Sequence, residues 1–340
     1  MEIGKKIKDF RMQKGITQET LAGILSVSSQ AVSKWETGQA LPDIQILPEI
    51  AVYFGVTIDE LFSMDDDKEF DRIQNMLWDE RDIGAEKQSK AERWLLEKAE
   101  NGYRPSDCYA LLADMYNHIA REAHRKAAEF AWESLQLEAG EKDAFCELNE
   151  AMEGYTPDWC ARNHNRLINR LKEYLQAHPD SWKGHLWLLD NLIDDHRMKE
   201  AEEYAEKLAA INDTYRVPLY KGLIKWHSGE KDKAHEIWKE MERSYGDEWQ
   251  VHLCMGDVMA MEGLYQDAIA YYRNAVSIQK APRYVDGYDS IAHIYEITGD
   301  NDLAVKVLEE ELTVLKEEWD TVSGETADSV RNWIRRLNAK

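Results

Sequence analysis

Apolar residues return every three or four positions along almost the whole chain, the spacing of helices buried on one face. Ile3, Ile7 and Phe10 make the first such face, and Gly15 closes that helix at its C-cap. Thr17 predicts the cap of a second helix with Leu21, Ala22 and Leu25 inward, and Ser26-Val27-Ser28 breaks it. Ser28 then caps a third helix, with Val32 and Trp35 inward, that ends at Gly38. After Pro42-Asp43, the residues Ile44, Leu47, Ile50, Ala51 and Phe54 form a fourth apolar face, followed by Gly55. Pro48 fits the first turn of the second part of that stretch. Thr57 with Glu60 reads as a capping box opening a last short helix through Leu61 and Phe62. The pattern predicts a compact bundle of five short helices.

Two of those helices are joined by a three-residue turn. Ala22 allows a close crossing, Val27 plugs the turn, and Val32 and Trp35 pack back. The third helix then projects from the bundle with a polar leading end, as entry into a major groove requires. That end carries Ser28, Ser29 and Gln30, with Ser33 and Lys34 one turn on. Gln bonds adenine bidentately, Ser donates or accepts, and Lys reaches guanine or phosphate.

Gln18 through Thr37 resembles the helix-turn-helix of the Cro/CI-type (XRE) family, to which lambda repressor belongs. The resemblance covers roughly Ile3 to Phe62 and rests on Arg11-Met12-Gln13-Lys14-Gly15, Thr17-Gln18-Glu19-Thr20-Leu21-Ala22 and Val32-Ser33-Lys34-Trp35-Glu36-Thr37-Gly38. It implies that Thr17 and Gln18, opening the second helix, meet a DNA phosphate. It implies that Arg11 and Glu36 tie the first helix to the third, and that Ser28, Ser29, Gln30 and Lys34 face the bases, with Ser33 beside them either solvated or in contact with DNA. Two departures stand out. Ser26 occupies a turn position where the family commonly has Gly or Asn. The loop Gln39-Ala40-Leu41 lacks the basic residues some relatives place on the DNA backbone, which implies modest affinity per protomer and a need for dimerisation.

Behind residues 1–63, an acidic segment 64–68 reads as a hinge. Ala201, Ala234, Ala268 and Ala304 then recur 33, 34 and 36 residues apart. Five residues before each stand His196, Gly229, Gly263 and Gly299; twelve before stand Leu189, Gly222, Gly256 and Ala292. Aromatic or large residues follow at Tyr204, Trp238, Tyr271 with Tyr272, and Leu308. Small residues permit close crossings, Gly turns the chain, and the aromatics fill the gap to the next unit. This resembles the tetratricopeptide repeat, a helical hairpin of about 34 residues. Leu112 to Leu137 reads as an earlier repeat with a lengthened turn, and Glu69 to Asn101 and Asp143 to Pro179 as degenerate ones. The array is expected over 69–322, with a capping helix over 323–340. The expected fold is all-α: a five-helix lambda-repressor-like domain, then an α-solenoid.

The phase of the repeat places Asp114, Asn117, Lys183, Asp190, Trp226, Gln250, Asp257, His293 and Glu296 on a concave face built from first helices. That mixture suits a peptide or partner protein, and its acidity favours a cationic one. A groove that is merely solvated, or filled by the protein's own helix, is the plain alternative. Trp132, Trp187, Trp238 and Trp249 lie at helix-packing spacings.

Charge is segregated. The net charge is −23, yet residues 1–38 sum to +2 and residues 1–64 to −2. Cys108, Cys146, Cys160 and Cys254 are far apart, which argues against a structural zinc site and a disulfide framework. The N-terminal pattern is not that of a signal peptide, and no apolar run is long enough to span a membrane, so a cytoplasmic location is expected. No phosphate loop, dinucleotide turn, zinc-protease helix or nucleophile elbow occurs. No metal, cofactor or catalysis is expected. The chain reads as a sequence-specific DNA-binding transcriptional regulator acting as a homodimer, with an array that dimerises or binds a peptide or protein. The rival is an interaction scaffold whose first domain does not bind DNA specifically.

Overall fold

The computed structural model describes residues 2–58, 61, 66–138, 142–154 and 163–339, and among them there is no strand. The chain divides into two compact units, Met1–Ala120 and Arg121–Lys340.

The first unit opens with α1 (Glu2–Gln13), α2 (Gln18–Ile24), α3 (Ser29–Glu36) and α4 (Leu47–Phe54). Thr17 and Ser28 cap α2 and α3, each side chain accepting an N–H three residues on, at 3.1 Å. Ser26 takes the left-handed conformation at φ 54°, which its short polar side chain tolerates. Ile3, Ile7, Leu21, Ala22, Val32, Trp35, Leu47, Ile50, Ala51, Phe54 and Leu61 form one buried core. Gly4 is forced: a Cβ there would lie 1.8 Å from the Trp35 carbonyl oxygen, so α1 crosses α3 at backbone contact. Ile44 does not join the core; it is 79% exposed, because α4 begins only at Leu47, with Pro48 in its first turn. The expected partner of Thr57 in a capping box, Glu60, lies outside the described residues, as does Phe62.

The expected hinge is only partly described, and what is described is helical. Asp66, Asp67 and Lys68 open α5 (Asp66–Asp79), where acids complement the positive end of the helix dipole. α6 (Ala85–Glu100) follows, and Phe70, Ile73, Leu77, Leu95, Cys108 and Met115 share a second core. Next, α7 runs unbroken from Pro105 to Leu137. The lengthened turn expected between Leu112 and Leu137 is absent. From Ala120 to Ala131 the chain has no Gly, Pro or Asn and is rich in Ala, Glu, Arg and Lys, so nothing stops a helix.

In the second unit, α8 (Lys142–Ala151) and α9 (Asn165–Ala177) precede four hairpins. These are α10 (Trp182–Asp194) with α11 (Met198–Ile211), and α12 (Arg216–His227) with α13 (Lys231–Tyr245). Then come α14 (Trp249–Met261) with α15 (Tyr265–Ile278), and α16 (Asp286–Thr298) with α17 (Asn301–Glu318). α18 (Glu325–Asn338) packs on α17 as the expected last helix. Each hairpin turn has its left-handed residue at the predicted position: His196, Gly229, Gly263 and Gly299, at φ 54°, 84°, 74° and 84°. Each is followed by an N–H bonding back five residues, as in Glu230 N–H to the Lys225 carbonyl at 2.9 Å. The phased alanines 201, 234, 268 and 304 are fully buried. Trp238 fills the slot opened by Gly222, where a Cβ would sit 2.0 Å from its indole nitrogen; Tyr272 fills that of Gly256 at 2.4 Å. The packing expectation holds for Trp238, but Trp132 and Trp187 are exposed. Among the described residues no helix is long and apolar enough to cross a membrane.

Candidate nucleic-acid interface

The helix expected to read bases sits on a locked frame. Arg11 Nε and Nη2 donate to the two carboxylate oxygens of Glu36 at 2.6 and 3.1 Å, and Nη1 donates to the Ile16 carbonyl at 2.7 Å. The Glu36 side chain is 1% exposed. Burial alone would raise its pKa, but the Arg11 and Gln18 hydrogen bonds outweigh it and hold the carboxyl below its ordinary value. The pair joins α1 to α3 as the resemblance implied.

Gln18, expected to meet a phosphate, has an internal partner here. Its Nε2 donates to Glu36 Oε2 at 2.7 Å, so in the free protein the side chain braces α2 against α3. Thr17 is the cap of α2, and its hydroxyl also meets that of Thr20 at 2.9 Å. Ser28 is spent in part as the cap of α3, which leaves its hydroxyl proton to give. Beyond the cap, Ser29 and Ser33 are half-buried, while Gln30 and Lys34 stand exposed with no side-chain partner among the described residues. The structure thus brings Gln30 and Lys34 together, one turn apart, on the outer face of α3, whose inner face holds Val32 and Trp35.

The proposed concave residues of the array present the opposite picture. Asp190 accepts from Tyr220 at 2.5 Å and Asp257 from Tyr272 at 2.7 Å. Trp226 donates its indole N–H to Glu262 at 2.7 Å. Glu296 accepts from Trp333 and Arg336 of α18, each at 2.9 Å, and the His293 ring lies 4.2 Å from that of Trp333. At this end the protein's own last helix covers the groove positions. Lys183 and Gln250 remain without a hydrogen-bond partner among the described residues, and Lys183 rests near the Trp182 ring. Asp114 and Asn117 belong to the first unit, on α7, which has no hairpin turn.

Sequence reasoning missed a second period. Trp182, Tyr215, Trp249, Tyr284 and Trp319 recur 33, 34, 35 and 35 residues apart. Arg216 lies over Trp182 and Tyr215, Tyr284 stacks on Trp249 with centroids 5.5 Å apart, and Trp319 meets Tyr284 edge-on at 6.0 Å. The spacing was visible in the sequence, but its residues fall at helix starts, caps and connections, outside the phase of the buried faces. Two buried groups also escaped notice. Glu311 is 2% exposed, and its Oε2 has no hydrogen-bond partner. Burial, with Asp289 and Asp286 nearby, pushes its carboxyl up to about 8. His185 is the other. Among the described residues, His164, Asp194 and Asp195 form the single group with metal-ligand spacing. Asp195 is accounted for without a metal, since it accepts the backbone N–H of His164 at the start of α9, at 2.9 Å.

A family model described as Helix-turn-helix matches residues 7–61. The HTH-type transcriptional activator BcrR of Enterococcus faecalis is 48% identical over 63 residues, 18% of this chain and 31% of that protein. The uncharacterized HTH-type transcriptional regulator MJ0272 of Methanocaldococcus jannaschii is 38% identical over 63 residues, 18% of this chain and 96% of that protein. The chain therefore spans about a third of the length of the first relative and nearly all of the second. Among solved structures, Bacillus thuringiensis PlcR in complex with the peptide PapR7 and DNA aligns over 100% of this chain and 99% of that one. Its identity is 11% and its TM-score 0.27.

Proposed function

This chain belongs to the helix-turn-helix family of transcriptional regulators through its N-terminal domain, and from that premise we propose that it is a sequence-specific DNA-binding regulator. α3 enters the major groove, Gln30 and Lys34 read base edges, and Ser29 and Ser33 add shorter contacts. Thr17, Gln18 and the hydroxyl of Ser28 meet phosphates, which position the helix without reading sequence. Gln18 exchanges its bond to Glu36 for the phosphate. The regulator acts as a homodimer, with two α3 helices about 34 Å apart on a pseudo-palindromic site. The repeat array serves dimerisation or binds a peptide or protein on its first-helix face, where Lys183 and Gln250 are open.

One observation carries the reading: Gln30 and Lys34 are exposed and, among the described residues, without a side-chain partner, on a helix capped by Ser28 and tied to α1 through Glu36. Side chains held free on a rigid support are what base recognition needs. Gel-shift competition against a randomised DNA pool tests it. Enrichment of one motif is the expected result. Salt-sensitive binding without any preferred motif would overturn the regulator reading in favour of the scaffold.

A further inference from the structure

The later half of α7, from Arg121 to Leu137, belongs to the second unit and turns an apolar stripe to solvent. Ala123, Phe130 and Leu137 are spaced seven apart, and Ala127 and Ser134 fall four residues after the first two. Steps of four and three keep all five within about a quarter turn of one another around the helix. Ala123 is exposed, Phe130 is 75% and Leu137 88% exposed, and Ala127 and Ser134 are half-buried. Among the described residues no large apolar side chain is more exposed than Leu137. A helix face that meets only water carries polar residues at such positions. Lys126 and Glu133 border one side of the stripe, again seven apart and opposite in charge. Lys126 is paired with Glu122 one turn back on the same helix.

We propose that this stripe packs against the same stripe of a second copy of the chain, the two α7 helices antiparallel. The inference rests on the homodimer reading above and gives it a surface. Two properties of the stripe select this occupant. The first is size. With a two-fold axis midway between Ala128 and Glu129, Phe130 of each copy lies over Ala127 of the other, Ala123 over Ser134, and Leu137 over Ala120. Each large side chain meets a small one, as closely packed helices require. The second is charge. The same axis sets Lys126 of each copy beside Glu133 of the other, at the rim of the contact. Parallel helices would instead stack Phe130 on Phe130 and bring Glu133 beside Glu138. The antiparallel contact is self-complementary, so it closes at two chains. Its two-fold symmetry is the one a pseudo-palindromic site demands.

The test is sedimentation equilibrium of the full chain without DNA, with helix content by circular dichroism as the check on folding. The wild type should be a dimer at micromolar concentration. Phe130→Asp should raise the dissociation constant at least about a hundredfold, because the two-fold axis counts each lost anchor twice, and should keep its helix content. Lys126→Glu and Glu133→Lys should each weaken the dimer about tenfold, and the double reversal should recover most of that loss. Wild-type affinity in Phe130→Asp, or charge reversals that fail to compensate one another, would overturn this surface and leave the homodimer reading standing. A wild type that stays monomeric at every concentration would overturn both.

Discussion

The helix-turn-helix bundle and the repeat array handle polar side chains in opposite ways. In the bundle the buried charges are complete, with Glu36 held by Arg11 and Gln18, and polar residues of α3 stand idle at the surface. In the array the polar residues of the first helices are mostly engaged by their own neighbours. Buried atoms such as Glu311 Oε2 and His185 Nδ1 are the ones left waiting. A surface side chain with nothing to do, on a rigid support, marks a contact with a partner. A buried atom with nothing to bond marks either a cost in stability or a ligand to come.

The sharpest way to break the array is at its tightest internal fit. Trp238→Ala empties the slot beside Gly222 and is expected to cost about 4 kcal/mol, read as a lower urea midpoint of the full chain. A loss below ~1 kcal/mol would mean the phased small and large residues do not set the hairpin crossing. In the bundle, Arg11→Ala leaves a buried carboxylate unpaired and is expected to cost about 3 kcal/mol. The wild-type bond also has a pH signature. Because the Glu36 pKa is depressed, its contribution is present above the ordinary glutamate value and lost as pH falls through the lowered one. That acid limb should vanish in Arg11→Ala.

The array should show the opposite sign. The Glu311 pKa is raised to about 8, so its contribution is intact below the ordinary carboxylate value and lost as pH rises through 8. The slope approaches ~1.4 kcal/mol per pH unit at most. Glu311→Gln should flatten it, and an unchanged alkaline limb would place the cause elsewhere. Smaller again, Tyr272→Phe removes one hydrogen bond to Asp257 and should cost about 1 kcal/mol. No loss at all would return Asp257 to the pool of residues open to a ligand.

The bundle was almost wholly legible in the sequence because its signals are local. Caps at Thr17 and Ser28, the left-handed Ser26 and the inward faces of α2 and α3 all act within a few residues. Ile44 misled because an apolar residue at helical spacing need not belong to the helix it precedes. The hairpin turns were legible for the same local reason, even at His196, where no glycine stands. What the sequence could not display was pairing over 15 to 37 residues, such as Tyr272 with Asp257 or Trp333 with Glu296. Those bonds depend on how one helix seats against the next, and they decide which first-helix residues remain open. The unbroken α7 was missed because the repeat phase was carried back to Leu112 against the helix propensity of the residues themselves.

The account rests on α3 as a reader of sequence. The most direct measurement is selection of bound DNA from a random pool by the wild type, Gln30→Ala and Gln18→Ala proteins. The prediction is one motif for the wild type and preference relaxed at a single base pair by about 1–3 kcal/mol in Gln30→Ala. In Gln18→Ala the same motif should be bound more weakly throughout. An identical motif with identical affinity from Gln30→Ala and the wild type would contradict it.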